Sequence, residues 1–95
     1  MNVGKSIHEI RKQKGLSQGD LCAAIGMSQT NLSQVENNKR RLSEKNLANL
    51  CKALDTPIAI LYIHSIELRD FPINRRKQYQ LLLPAIKSLL EQLIY

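Results

Sequence analysis

Apolar positions recur along this chain at intervals of three and four, and short polar or glycine-containing breaks divide them into helix-length segments. The first segment covers about Val3 to Lys14, with Ile7 and Ile10 inward. Arg11, Lys12 and Lys14 stand near its C-terminal end, where positive charge complements the helix dipole, and Gly15 can take the left-handed conformation that ends it. Ser17 is placed to cap a second helix, with Asp20 at the third helical position and Leu21, Cys22 and Ile25 as the buried stripe. Gly26 makes the turn, and Ser28 caps a third helix that runs to about Glu36. Asn37 and Asn38 end it, because Asn tolerates the left-handed region better than other residues with a side chain.

Lys39, Arg40 and Arg41 follow in a loop, and Ser43 caps a fourth helix with Leu47, Leu50, Cys51 and Leu54 as its core stripe. Thr56 and Pro57 read as N-cap and first residue of a fifth helix, with Ile58, Leu61 and Tyr62 inward and an end near Glu67. The stretch Arg69 to Asn74 contains Pro72 and reads as a linker. From Arg75 the helical pattern resumes. Tyr79, Leu83, Ile86, Leu90 and Leu93 repeat at spacings of four, three, four and three, and Leu82, Leu89 and Ile94 widen this seam. Pro84 interrupts it and predicts a kink or a new helix start. So much apolar surface cannot stay in water, so the segment either folds back on the first five helices or pairs with another chain. The expected architecture is all-α, with residues 1–67 as the main domain, 68–74 as a linker and 75–95 as a helical extension.

The third helix carries the most informative chemistry. Gln29, Thr30, Ser33 and Gln34 lie at spacings of one, three and one, which puts them on one face, while Leu32 and Val35 lie on the other. A face of amides and hydroxyls without acids suits the edges of base pairs. A Gln side chain presents a donor and an acceptor together, matching adenine N6 and N7 in the major groove.

Composition agrees with this direction. The chain has 95 residues, enough for one domain and a short appendage, and a core this small gains from burial by a partner. With 43% apolar residues disorder is not the default, and the scarcity of aromatic residues and Val disfavours a β-rich fold. Fourteen Lys or Arg against eight Asp or Glu leave a net charge of +6, which suits a polyanion. Two distant cysteines without a CxxC pair give neither a disulfide framework nor a zinc signature, and His8 and His64 stand without spaced ligand partners. No secretory signal and no bilayer-length apolar run is visible, so the expected location is the cytoplasm. No phosphate-cradling glycine loop, nucleophile motif or paired carboxylate is present, so no enzyme and no cofactor is expected.

The pattern I-x-x-I-R-x-x-K-G-L-S-Q-x-x-L, followed by G-M-S-Q-x-x-L-S-x-V-E-N, resembles the lambda-repressor-like (Xre, Cro/cI-type) helix-turn-helix family over about residues 5 to 63. The resemblance implies a five-helix DNA-binding domain whose third helix lies in the major groove. It places Gln29 and Thr30 as leading base readers with Ser33 and Gln34 one turn later. It places Gln18, Ser28, Asn37, Lys39, Arg40 and Arg41 on backbone phosphates, and it implies a salt bridge from Arg11 to Glu36. Asn38 stands where the family usually has Gly, which predicts a turn with some strain, and Cys22 and Cys51 stand where it often has Ala, which marks them as small core residues.

These readings converge on a double-stranded DNA-binding transcriptional regulator. A single helix pair reads few base pairs, so a homodimer joined through Tyr79, Leu83, Ile86, Leu90 and Leu93 on a palindromic operator, acting as a repressor, is the leading expectation. Two rivals are an antitoxin whose C-terminal segment covers a toxin, and a controller protein of a restriction-modification system. Lys5 and Lys12 are taken as surface charges, and Arg75, Arg76 and Lys77 as a solvated helix start.

Overall fold

The computed structural model describes residues 1–94, so Tyr95, the last position of the expected extension, lies outside the described residues. Six α-helices follow one another: α1 (Val3–Gln13), α2 (Gln18–Ile25), α3 (Gln29–Glu36), α4 (Glu44–Ala53), α5 (Ile58–His64) and α6 (Arg76–Ile94). Two 3₁₀ turns, Leu68–Asp70 and Ile73–Arg75, join α5 to α6, and no strand occurs among the described residues.

The helix starts are set locally. Ser17 accepts from the Asp20 backbone N–H while Asp20 accepts from the Ser17 N–H, a reciprocal capping box. That pair holds the Asp20 carboxyl below its ordinary value, chiefly through the Ser17 backbone N–H. Ser28 and Ser43 cap α3 and α4 through the N–H groups of Asn31 and Asn46. Gly26 ends α2 at φ +69°, a left-handed conformation that would strain any side chain, and so makes the turn into α3. The end of α4 is held from a distance: the Lys14 ammonium donates to the carbonyls of Leu54 (2.6 Å) and Asp55 (3.1 Å), where cations suit a helix C-terminus.

The core gathers Ile7 and Ile10, Leu21 and Cys22, Leu32 and Val35, Leu47, Leu50, Cys51 and Leu54, and Leu61, together with Leu90 and Ile94 of α6. Both thiols are buried, and burial pushes each above its ordinary value, consistent with inert packing residues rather than reactive thiolates.

The fifth helix departs from the expected pattern in three ways. Thr56 does not cap α5: it is buried and its hydroxyl donates to the Leu54 carbonyl, so Pro57 is the N-cap and Ile58 the first helical residue. The helix ends at His64 instead of near Glu67. Tyr62, expected inward, is 36% exposed, because His64 and Ser65 occupy the inward arc beside Leu61 and leave Tyr62 on the rim. Pro84, for its part, does not start a new helix; α6 runs through it. Its ring stands exposed, and the missing N–H leaves one carbonyl to water at a place where water is available. At the entry to α6, Phe71 stacks on Tyr79 with ring centroids 3.8 Å apart, and the Arg76 guanidinium donates to the Phe71 carbonyl.

Candidate nucleic-acid interface

α3 is anchored by one face and open on the other. Leu32 and Val35 enter the core, and Glu36 is buried beside them. The Glu36 carboxylate accepts from Arg11 Nε (2.8 Å) and Nη2 (3.1 Å), from His8 Nδ1 (2.8 Å) and from Gln18 Nε2 (3.1 Å). Burial by itself would raise this carboxyl. The hydrogen bonds from Arg11, His8 and Gln18 outweigh it and hold Glu36 below its ordinary value. Arg11 also donates to the Leu16 carbonyl, so one guanidinium ties α1 both to α3 and to the turn before α2. The salt bridge implied by the resemblance is in place, with His8 and Gln18 added to it.

Opposite this anchor, Gln29, Thr30 and Gln34 are exposed and Ser33 is half-buried. The Gln29 amide lies over Gly19 at the first turn of α2, its Nε2 3.1 Å from where a Cβ on Gly19 would stand. Ser28 and Asn37, at the two ends of α3, are exposed, and the Asn37 amide donates to the Ser33 carbonyl (2.8 Å). Lys39, Arg40 and Arg41 are exposed in the loop that follows, with Arg40 Nη1 donating to Asn31 Oδ1 (3.1 Å). Gln18 is half-buried, with one amide hydrogen on Glu36. The fold therefore brings these ten side chains to the surface formed by α3, the start of α2 and the α3–α4 loop.

Asn38 sits at φ +58°, and its side chain explains how a non-glycine is held there. Its Oδ1 accepts from the Gly4 N–H (3.1 Å) and its amide donates to Asn2 Oδ1, so the strained turn is clamped to the start of α1. The sequence pattern gives Asn31 no role, although it orients Arg40. It marks His8 only as a histidine without metal-ligand partners, although its place three residues before Arg11 on the same helical face signals the shared Glu36 contact.

The model of the helix-turn-helix family matches residues 7–61. The chain belongs to this family. Its members are DNA-binding transcriptional regulators. The chain is 32% identical over 66 residues to the ImmF control region 10 kDa protein of Bacillus phage phi105, covering 70% of this chain and 73% of that protein. Among solved structures it resembles the wild-type restriction-modification controller protein C.Esp1396I, with 31% identity, a TM-score of 0.59, and coverage of 64% of this chain and 80% of that one. The family match stops before α6.

The residues expected to join two subunits divide between two faces of α6. Leu90 is buried against its own chain, and Tyr79 and Leu83 are half-buried there. Ile86 and Leu93 face outward with Leu82 and Leu89, and these four repeat at spacings of four, three and four. No helix among the described residues is long and apolar enough to cross a membrane, and no cluster of metal-ligating side chains occurs among them.

Proposed function

We propose that this regulator is a sequence-specific repressor that binds a palindromic operator as a homodimer in the cytoplasm. The observation that carries this reading is the division of α3: Leu32, Val35 and a fully paired Glu36 lock one side to the bundle, and the Gln29 and Gln34 amides stand free on the other. Gln29 and Thr30 read base edges, with Ser33 and Gln34 one turn on. Gln18, Ser28, Asn37, Lys39, Arg40 and Arg41 hold phosphates and set the register. Residues 1–67 form the DNA-binding unit and 75–95 the dimerising extension, joined by 68–74.

Dimerisation uses the outward stripe of α6, where Ile86 and Leu93 act with Leu82 and Leu89 while Tyr79, Leu83 and Leu90 brace the helix from beneath. The flanking positions Gln78, Ala85 and Gln92 bring no charge to that stripe. Two subunits place two recognition helices about 34 Å apart, one turn of DNA. Repression works by occluding the polymerase.

Random-site selection with the purified protein tests the whole reading, and a palindromic consensus is the expected product. On the selected duplex, Gln29→Ala weakens binding by about 1–3 kcal/mol while leaving affinity for random DNA nearly unchanged. Arg40→Ala weakens both and flattens the salt dependence. Equal loss on both DNAs for Gln29→Ala removes base reading from α3. A second reading, a restriction-modification controller, is favoured by the likeness to C.Esp1396I. It differs in activating as well as repressing, which a reporter fused to the selected site distinguishes.

A further inference from the structure

Between the start of α1 and the end of α3 lies a recess of about 370 Å³, lined in part by Lys5, His8, Gln18, Glu36 and Asn37. Its one acid is already engaged, since Glu36 accepts from Arg11, His8 and Gln18 together. The donors around it are not exhausted. The Gln18 amide has a second hydrogen beyond the one given to Glu36, and the Asn37 amide a second beyond the one given to Ser33. The Lys5 side chain is 68% exposed, and its ion pair with Glu9 is a loose 3.8 Å contact. Spare hydrogens and an exposed cation around a neutralised carboxylate form a receptor for an anion with several acceptor oxygens.

We propose that Lys5 and His8 of α1 join Gln18 and Asn37 in seating a DNA backbone phosphate at this recess. The proposal rests on the DNA-binding reading above and adds to it two residues that the sequence pattern leaves as an ordinary surface charge and an isolated histidine.

His8 shapes the wall of the seat. The Glu36 carboxylate only accepts, so the hydrogen between them is on His8 Nδ1. That bond fixes the ring at the recess and leaves Nε2 as the nitrogen available to a phosphate oxygen.

The test uses the full chain and the duplex recovered by random-site selection. Binding is followed by calorimetry across a salt series. His8→Gln, which can still donate to Glu36, binds the duplex more weakly than the wild type. Lys5→Ala lowers the magnitude of the slope of log K against log salt by about 0.9, the signature of one phosphate contact. Lys52→Ala on α4, which removes the same charge away from the recess, leaves the slope unchanged. Circular dichroism verifies that each variant is folded. A wild type that selects no duplex overturns the function itself. A wild type that selects one, with His8→Gln binding as tightly as the wild type and with Lys5→Ala matching Lys52→Ala, overturns only the seat.

Discussion

At the junction of α1, α2 and α3, polar groups hold the helices in register, and Glu36 alone gathers three partners from two other helices. Along α6 almost the reverse holds. Its inner side is held by Leu90, Ile94 and the Phe71–Tyr79 stack, while Leu81, Leu82, Leu89 and Leu93 remain 81, 54, 63 and 71% exposed. The first region is complete within one chain. The second carries more apolar surface than its own chain covers. Directional bonds suit the part that must present side chains to a rigid duplex, and non-directional burial suits the part proposed to meet another subunit.

The largest effect should come from breaking the polar junction. Arg11→Ala leaves Glu36 buried without its principal partner, and the expected loss is about 3–5 kcal/mol in urea unfolding. A loss below about 1 kcal/mol would mean that the bundle stands by its aliphatic core alone. A smaller but informative contrast lies within α6. Leu90→Ala empties a core position and costs about 2–5 kcal/mol, whereas Leu93→Ala changes monomer folding by less than about 0.5 kcal/mol. In sedimentation, Leu93→Ala instead shifts mass toward the monomer; the opposite ranking in the two assays would exchange the roles of the two faces.

The smallest effect is a pH dependence. Burial lowers His64 below its ordinary value of 6.5, with Glu9 and Glu91 pulling the other way and Lys87 adding to the lowering. The unfolded chain thus takes up this proton first, so the stability contributed by neutral His64 is full above about pH 6.5 and is lost as pH falls from there. Glu36 behaves similarly lower down: its contribution is present above its ordinary value of 4.5 and is lost as pH falls through its lowered folded value. Thermal melts from pH 7.5 to 5.5 should show a decline that His64→Gln abolishes. A decline that persists in that variant points to another group.

How much of this was legible in the sequence follows from the range of each interaction. Ser17, Ser28, Ser43 and Gly26 act within three or four residues, so the starts of α2, α3 and α4 and the turn between α2 and α3 read directly. The same periodicity puts Gln29, Thr30 and Gln34 on the open side of α3. Thr56 misled because its hydroxyl had a competing acceptor two residues back, at Leu54. Tyr62 misled because a buried histidine, paired with Ser6 across the fold, took the inward place. On α6 the apolar arc is wide enough to serve two faces, and its packing on α5 and on the two 3₁₀ turns decides which side turns in. The Lys14 cap on α4 and the His8 contribution at Glu36 join residues 40 and 28 positions apart, beyond any local pattern.

One small position has a wider reach. Because Gly19 offers no Cβ, the Gln29 amide can lie across the opening turn of α2. Even an alanine at 19 would press on that amide and re-aim it by a few tenths of an ångström. On the proposed base-reading role of Gln29, operator preference can thus be retuned from outside α3, so two relatives with identical third helices need not share a binding sequence.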